Sequence, residues 1–147
     1  SYLYQTHDNN YNLGQTSFEC GRRNNALKFW VLWKAIGTNG LKKMVEHEFD
    51  LAQHAREYVN NNKDYTLYSF KDSLSICFNY KNYEPMDLCK KLYENNVLMV
   101  GHGNFNDKCF IRLVTINSQN TKQDIDNFFC LLEKFSKDFD SQIKKIN

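Results

Sequence analysis

The chain has 147 residues, 41% of them hydrophobic, with nineteen Lys and Arg against seventeen Asp and Glu. That is enough for one compact domain or for a domain with an attached arm, and no apolar run is long enough to span a bilayer. The basic residues fall in scattered pairs, Lys42-Lys43, Lys90-Lys91 and Lys144-Lys145, which suit solvated helix faces; a nucleic-acid surface needs them concentrated.

The chain opens on Ser1-Tyr2-Leu3-Tyr4-Gln5, with neither the basic nor the apolar region of a secretory signal. The missing initiating Met is compatible with a fragment. Residues 1–23 read as irregular, punctuated by Asp8-Asn9-Asn10 and Gly14 and closed by Cys20-Gly21-Arg22-Arg23. Helix is predicted over 24–36, capped by Asn24 or Asn25, with Leu27, Trp30, Val31 and Trp33 on a wide apolar face. Gly37 ends it, and Thr38 caps a second helix to about Asn60. There Leu41, Val45, Phe49, Leu51, Ala52, Ala55 and Val59 form the expected buried stripe.

Two β-rich stretches follow, Tyr65–Phe70 and Leu74–Tyr80, spaced as a hairpin. Pro85 stands where a helix can begin, continuing through Asp87–Glu94. Val97–Val100 and Phe110–Ile116 read as strands separated by a Gly-, Asn- and Asp-rich turn. Thr121 with Asp124 resembles a capping box and opens a last helix bearing Ile125, Phe128, Phe129, Leu132 and Phe135. The economical packing of this order is a small α+β unit, a mainly antiparallel sheet of about four strands with helices on one face.

Cys20, Cys77, Cys89, Cys109 and Cys130 form no Cys-x-x-Cys pair. Reduced, buried thiols in a cytosolic protein are expected.

Few positions suggest chemistry. Arg112 sits in Phe110-Ile111-Arg112-Leu113-Val114, on the face of Phe110 and Val114 by alternation. An arginine in an apolar strand is costly unless paired or hydrated. One reading is a guanidinium buried in the strand to grip a ligand carboxylate through two hydrogen bonds. The other is an edge-strand residue, or a salt bridge to a carboxylate such as Asp124. Cys20-Gly21-Arg22-Arg23 is either a close-packed turn near a ligand or an ordinary helix entry. Tyr2 is either a proton donor on a mobile loop or a packing residue. His47 and His54, two helical turns apart, lie about 10 Å from each other, too far to share a metal without a third element, and read as solvated. His102, in a glycine-flanked turn, could line a pocket.

At these residues the chain resembles the C-terminal part of the group II decarboxylases, which include the glutamate, cysteine-sulfinate and aromatic-amino-acid decarboxylases. The resemblance rests on Tyr2-Leu3-Tyr4-Gln5, Cys20-Gly21-Arg22-Arg23, Leu27-Lys28-Phe29-Trp30, Trp33-Lys34, and Gly37-Thr38 with Gly40. It continues through Val100-Gly101, Phe110-Ile111-Arg112-Leu113-Val114, Asn117 and Asp124-Ile125-Asp126.

The resemblance implies an aspartate-aminotransferase-like fold, a pyridoxal 5'-phosphate cofactor and a homodimer. Residues 1–36 would end the large domain and residues 37–147 would form the small C-terminal domain. Tyr2 matches a tyrosine on a mobile loop thought to protonate the carbon that CO2 leaves. Arg112 matches an arginine that holds a substrate carboxylate. Gly21 matches a pocket residue whose size influences the substrate, and Cys20 before it favours acidic substrates.

The family's Schiff-base lysine follows a histidine, and this sequence has no His-Lys pair. Asp50-Leu51-Ala52 reproduces the family's Asp-x-Ala only in mid-helix. The chain is thus expected to be part of a cytoplasmic enzyme, inactive without the N-terminal part, that releases CO2 from an acidic L-amino acid such as glutamate, aspartate or cysteine sulfinate. An aromatic L-amino acid is the alternative substrate, and a stand-alone regulatory or small-carboxylate-binding module the alternative function. Neither nucleic acid, membrane nor metal is expected as a partner.

Overall fold

The computed structural model describes residues 24–146, with side chains to residue 138. Tyr2, Cys20 and Gly21 therefore lie outside the described residues. The chain divides into two compact units, Ser1–Leu41 and Lys42–Asn147. Its elements are α1 (Asn25–Asn61), β1 (Tyr65–Leu67), β2 (Ser75–Tyr80), α2 (Pro85–Glu94), β3 (Gly101–Phe105), β4 (Lys108–Val114) and α3 (Lys122–Ile146). No described helix is long and apolar enough to cross a membrane.

In the first unit, the Asn24 side chain accepts a hydrogen bond from the Leu27 amide at 2.9 Å and caps α1. The helix breaks at Gly37, whose φ of 67° and ψ of 176° suit a residue without Cβ. Between these points Leu27, Phe29, Trp30, Val31, Leu32, Trp33 and Ile36 are all exposed.

In the second unit the sheet order is β1-β2-β4-β3, with every neighbouring pair antiparallel. One face is the core. Tyr65, Ile76, Phe78, Tyr80 and Ile111 point into it from the strands and meet Leu51, Ala52, Ala55 and Val59 of α1, Leu88 and Leu92 of α2, and Ile125, Phe129 and Leu132 of α3. The alternation of β2 is regular, with Ile76, Phe78 and Tyr80 buried and the residues between them half-buried, as a strand with one covered face requires. Thr121 and Asp124 form the expected reciprocal cap of α3. The Thr121 amide donates to the Asp124 carboxylate at 2.7 Å, and the Asp124 amide donates back to the Thr121 hydroxyl at 3.3 Å.

Four expectations need correction. The third strand is Gly101–Phe105 and not Val97–Val100. Asn106 and Asp107 both have positive φ, 47° and 59°, and close a two-residue hairpin between the paired Phe105 and Lys108; that is mirror-image turn chemistry. Val45 and Phe49 are exposed, so the buried stripe of α1 begins at Leu51. His47 and His54 are tethered: His47 Nε2 lies 2.8 Å from the Asn120 carbonyl and His54 Nε2 lies 2.7 Å from Asp126 Oδ1. Both therefore face the α3 entrance and not solvent. Of the described cysteines, all free, only Cys89 is buried; Cys77 and Cys109 are half-buried and Cys130 is exposed.

Where α1 meets α3, one carboxylate organises the aromatic core. Glu133 accepts from the hydroxyls of Tyr58 at 3.0 Å and Tyr65 at 3.1 Å. Burial, and then the hydrogen bond to Glu133, push the Tyr58 phenol up to about 12. Tyr65 shifts in the same direction, chiefly by burial. A raised phenol favours the folded state fully below the unfolded value of about 10, and that contribution is lost as pH rises through the folded one. Stability is therefore expected to fall between about pH 10 and 12. Tyr58→Phe should flatten that fall, as followed by alkaline denaturation alongside tyrosinate absorbance. An unchanged profile would contradict the assignment.

Candidate functional site: the open face of the sheet

The helices cover one face of the sheet, so alternation leaves the other to the residues between the core positions. The register aligns Tyr68, whose amide bonds the Cys77 carbonyl at 2.8 Å, with Cys77, Arg112 and Gly101 in one transverse row. The next row is Thr66, Asn79, Phe110 and Gly103. Ser75 pairs with Val114, and Phe105 with Lys108. None of these outward positions bears a carboxylate.

Arg112 lies on the face of Phe110 and Val114, as alternation requires, but it is exposed. The expectation of a guanidinium buried in the strand is therefore corrected: the helices lie on the opposite side of β4. The edge-strand alternative is corrected as well, because β4 is interior, between β2 and β3. So is the Asp124 alternative, since that carboxylate accepts from Thr121. Among the described residues Arg112 makes no salt bridge. Its guanidinium acts on Cys77 across the strand pair, lowering a thiol pKa that burial raises more strongly.

Beside this row is a cleft of about 440 Å³ walled by Tyr68, Phe70, Cys77, Phe105, Lys108 and Phe110. The Lys108 ammonium lies 5.5 Å from the centre of the Tyr68 ring, a cation–π distance. The open face thus combines two cations, aromatic walls and no negative side chain. That composition favours an anion with an apolar body. A hollow of about 570 Å³ at the end of α1 is lined by His54, Glu57, Tyr58, Asn61, Asn62 and Lys63. It adjoins Asp126 and Glu133, so an anion is disfavoured there.

His102 pairs with Ile111 and so faces away from Arg112. A buried arginine that the sequence reading did not single out, Arg56, has a structural task. Its guanidinium donates to the Ser73 carbonyl at 2.8 Å and the Phe70 carbonyl at 3.3 Å, holding the β1–β2 connection. Its place in a helical stripe beside Ala52 and Ala55 was the available signal.

The chain matches the model of the pyridoxal-dependent decarboxylase conserved domain over residues 1–81, more than half its length, and it belongs to that family. The acidic amino acid decarboxylase GADL1 of Mus musculus is 26% identical over 94% of this chain and 29% of that protein. The crystal structure of mouse CSAD in apo form superposes with a TM-score of 0.69 at 24% identity, over 88% of this chain and 32% of that one. For Oryza sativa TDC with PLP and tryptamine the TM-score is 0.72 at 16% identity, over 86% and 29%. The two structures share the fold of this chain, which spans less than a third of the relatives it matches.

The family's cofactor is pyridoxal phosphate, as the resemblance implied. Every described lysine is exposed apart from half-buried Lys91 on α2, and no His-Lys pair exists. Asp50 is an exposed residue in the middle of α1, out of place as a partner for the ring nitrogen.

Proposed function

We propose that this chain is the substrate-carboxylate-binding, C-terminal part of a pyridoxal-phosphate-dependent decarboxylase acting on an acidic L-amino acid. Residues 37–147 are its small domain and residues 1–36 the end of the large domain. The cofactor is held by the part of the enzyme beyond this chain, and two copies form the working dimer. One observation carries the reading: Arg112 stands on an interior strand, on the open sheet face, with no carboxylate among its outward neighbours.

A guanidinium so placed presents two parallel N–H donors to an incoming carboxylate. Its contribution is orientation. With the substrate carboxylate clamped, the bond to the departing CO2 can be held in the geometry that the cofactor's electron sink requires. Tyr2, matched by sequence to a mobile-loop tyrosine, is proposed to return a proton to the carbon that CO2 leaves. Gly21 and Cys20 are proposed to bound the side-chain pocket.

The name of the acidic amino acid decarboxylase GADL1 supports an acidic substrate, whereas the tryptamine in the Oryza sativa TDC structure represents the aromatic alternative. The deciding assay measures CO2 release by the intact enzyme from L-glutamate, L-aspartate, L-cysteine sulfinate, L-tyrosine and L-tryptophan. An acidic amino acid is expected to give the highest kcat/KM, and Tyr2→Phe to suppress turnover far more than binding. Preference for an aromatic substrate would reject the acidic assignment, and undiminished turnover would remove Tyr2 from the reaction.

A further inference from the structure

The described glycines differ in why a side chain is absent. Gly37 occupies positive φ. A Cβ on Gly40 would lie 2.9 Å from the Ile36 Cβ, and one on Gly103 would lie 3.0 Å from the Phe110 ring. Each is accounted for by conformation or packing. Gly101 is not: its φ is not positive, and a Cβ there would meet only the Arg112 carbonyl oxygen at an ordinary 3.8 Å. Gly101 is the first residue of β3, and a glycine held in a strand loses more chain entropy than other residues and packs nothing. Neither its φ nor close packing of the kind met at Gly40 and Gly103 requires a glycine there.

Its location supplies the reason. Gly101 is the direct cross-strand partner of Arg112 on β3, and paired residues on one face have Cβ atoms about 4.5–5.5 Å apart. A long side chain at 101 would stand against the arginine stem. On the opposite flank Cys77 already occupies the partner position, and Phe110 and Val114 flank Arg112 along the strand. Of these neighbours of Arg112, Gly101 alone carries no side chain.

We infer that Gly101 is a positioning residue for substrate: the missing side chain keeps one flank of the Arg112 guanidinium open, so that a carboxylate can approach both donors in plane. This rests on Arg112 being the carboxylate-binding group. Leucine at 101 would screen the guanidinium, whereas alanine, ending at a Cβ that touches nothing closely, would leave it reachable.

The test titrates the intact enzyme with glutarate, a dicarboxylate that lacks the amino group pyridoxal-dependent decarboxylation requires, and records the equilibrium Kd. Arg112→Met and Gly101→Leu are each expected to weaken binding at least tenfold. Gly101→Ala should stay within about threefold of wild type, and the double variant should be little worse than Arg112→Met alone, as residues acting through one contact are non-additive. Unchanged affinity in Gly101→Leu, with Arg112→Met weakened, overturns the inference about Gly101 and leaves the Arg112 reading standing. Equal behaviour of wild type and Arg112→Met, including no binding by either, overturns both. Circular dichroism of each variant checks that the sheet persists.

Discussion

Arg112→Met in the intact enzyme is expected to raise KM for its amino-acid substrate by roughly 30- to 1000-fold while leaving the cofactor's absorbance in place. The range corresponds to about 2–4 kcal/mol, what truncating one partner of a hydrogen-bonded charge pair typically costs when the site is enclosed. Methionine is a suitable replacement because its unbranched, flexible chain retains apolar cover over the sheet and removes only the fork and the charge. Arg112 contributes nothing to the core, being on the face opposite Ile111, so the fold should not respond. Arg112→Lys separates two contributions. It keeps the charge but replaces a planar fork with a point donor, and should fall between wild type and Arg112→Met. Saturation kinetics for the three proteins provide the check, and identical KM values would remove Arg112 from substrate binding. Salt dependence adds a second reading. A guanidinium left on an open surface is screened within about 10 Å at 0.1 M salt. One enclosed by the rest of the enzyme keeps its affinity as salt rises.

Periodicity located most of the elements because it reports which face is buried. It failed where burial is one-sided or absent. Gly101–Phe105 is an edge strand whose sequence, Gly-His-Gly-Asn-Phe, has almost no apolar residue to alternate. Its reality was signalled only by the two-residue Asn106-Asp107 turn, a cue that outweighs strand propensity. The same one-sidedness explains the misreading of Arg112. Phe110 and Val114 made its face look like a core, but an antiparallel sheet with helices on one side can carry apolar residues on its open face as well. Val45 and Phe49, and the apolar residues of 25–36, follow that pattern: a sequence records that a surface is apolar, not whether it is buried. His47 and His54 looked solvated because their partners, Asn120 and Asp126, are more than seventy residues away, beyond any local pattern. The candidate site was partly legible. Arg112 was visible as an anomaly and Val100-Gly101 as part of the family resemblance, but their pairing across β3 and β4 is a matter of register, which depends on where the hairpin turns. Tyr2, Cys20 and Gly21 remain proposals from sequence.

The core itself supports a second large effect: Phe129→Ala is expected to destabilise the fold by about 3–5 kcal/mol. Phe129 is fully buried and is the common contact of the aromatic cluster. It stacks on Tyr58 with centroids 4.2 Å apart and planes 7° from parallel, and meets Tyr65 edge-on at 5.6 Å. It also lies 5.6 Å from Phe78 and 5.2 Å from Phe128. These neighbours come from α1, β1, β2 and α3, so truncation opens a cavity whose walls belong to four separate elements. The paired strands cannot move in to fill it without breaking the β1–β2 register, and the cavity penalty adds to the lost transfer energy. A typical domain is stable by about 5–15 kcal/mol, so the variant should unfold at much lower denaturant or populate the unfolded state outright. Phe129→Leu, which keeps most of the volume, should recover the greater part. Phe70→Ala is the matched control: the same atoms are removed from a ring that is 72% exposed, and the expected change is about 0.5 kcal/mol or less. Urea melts of the three variants decide the matter. Equal midpoints for Phe129→Ala and Phe70→Ala would mean that the helices do not seal this face of the sheet, and the open face would then lose its claim to be the site.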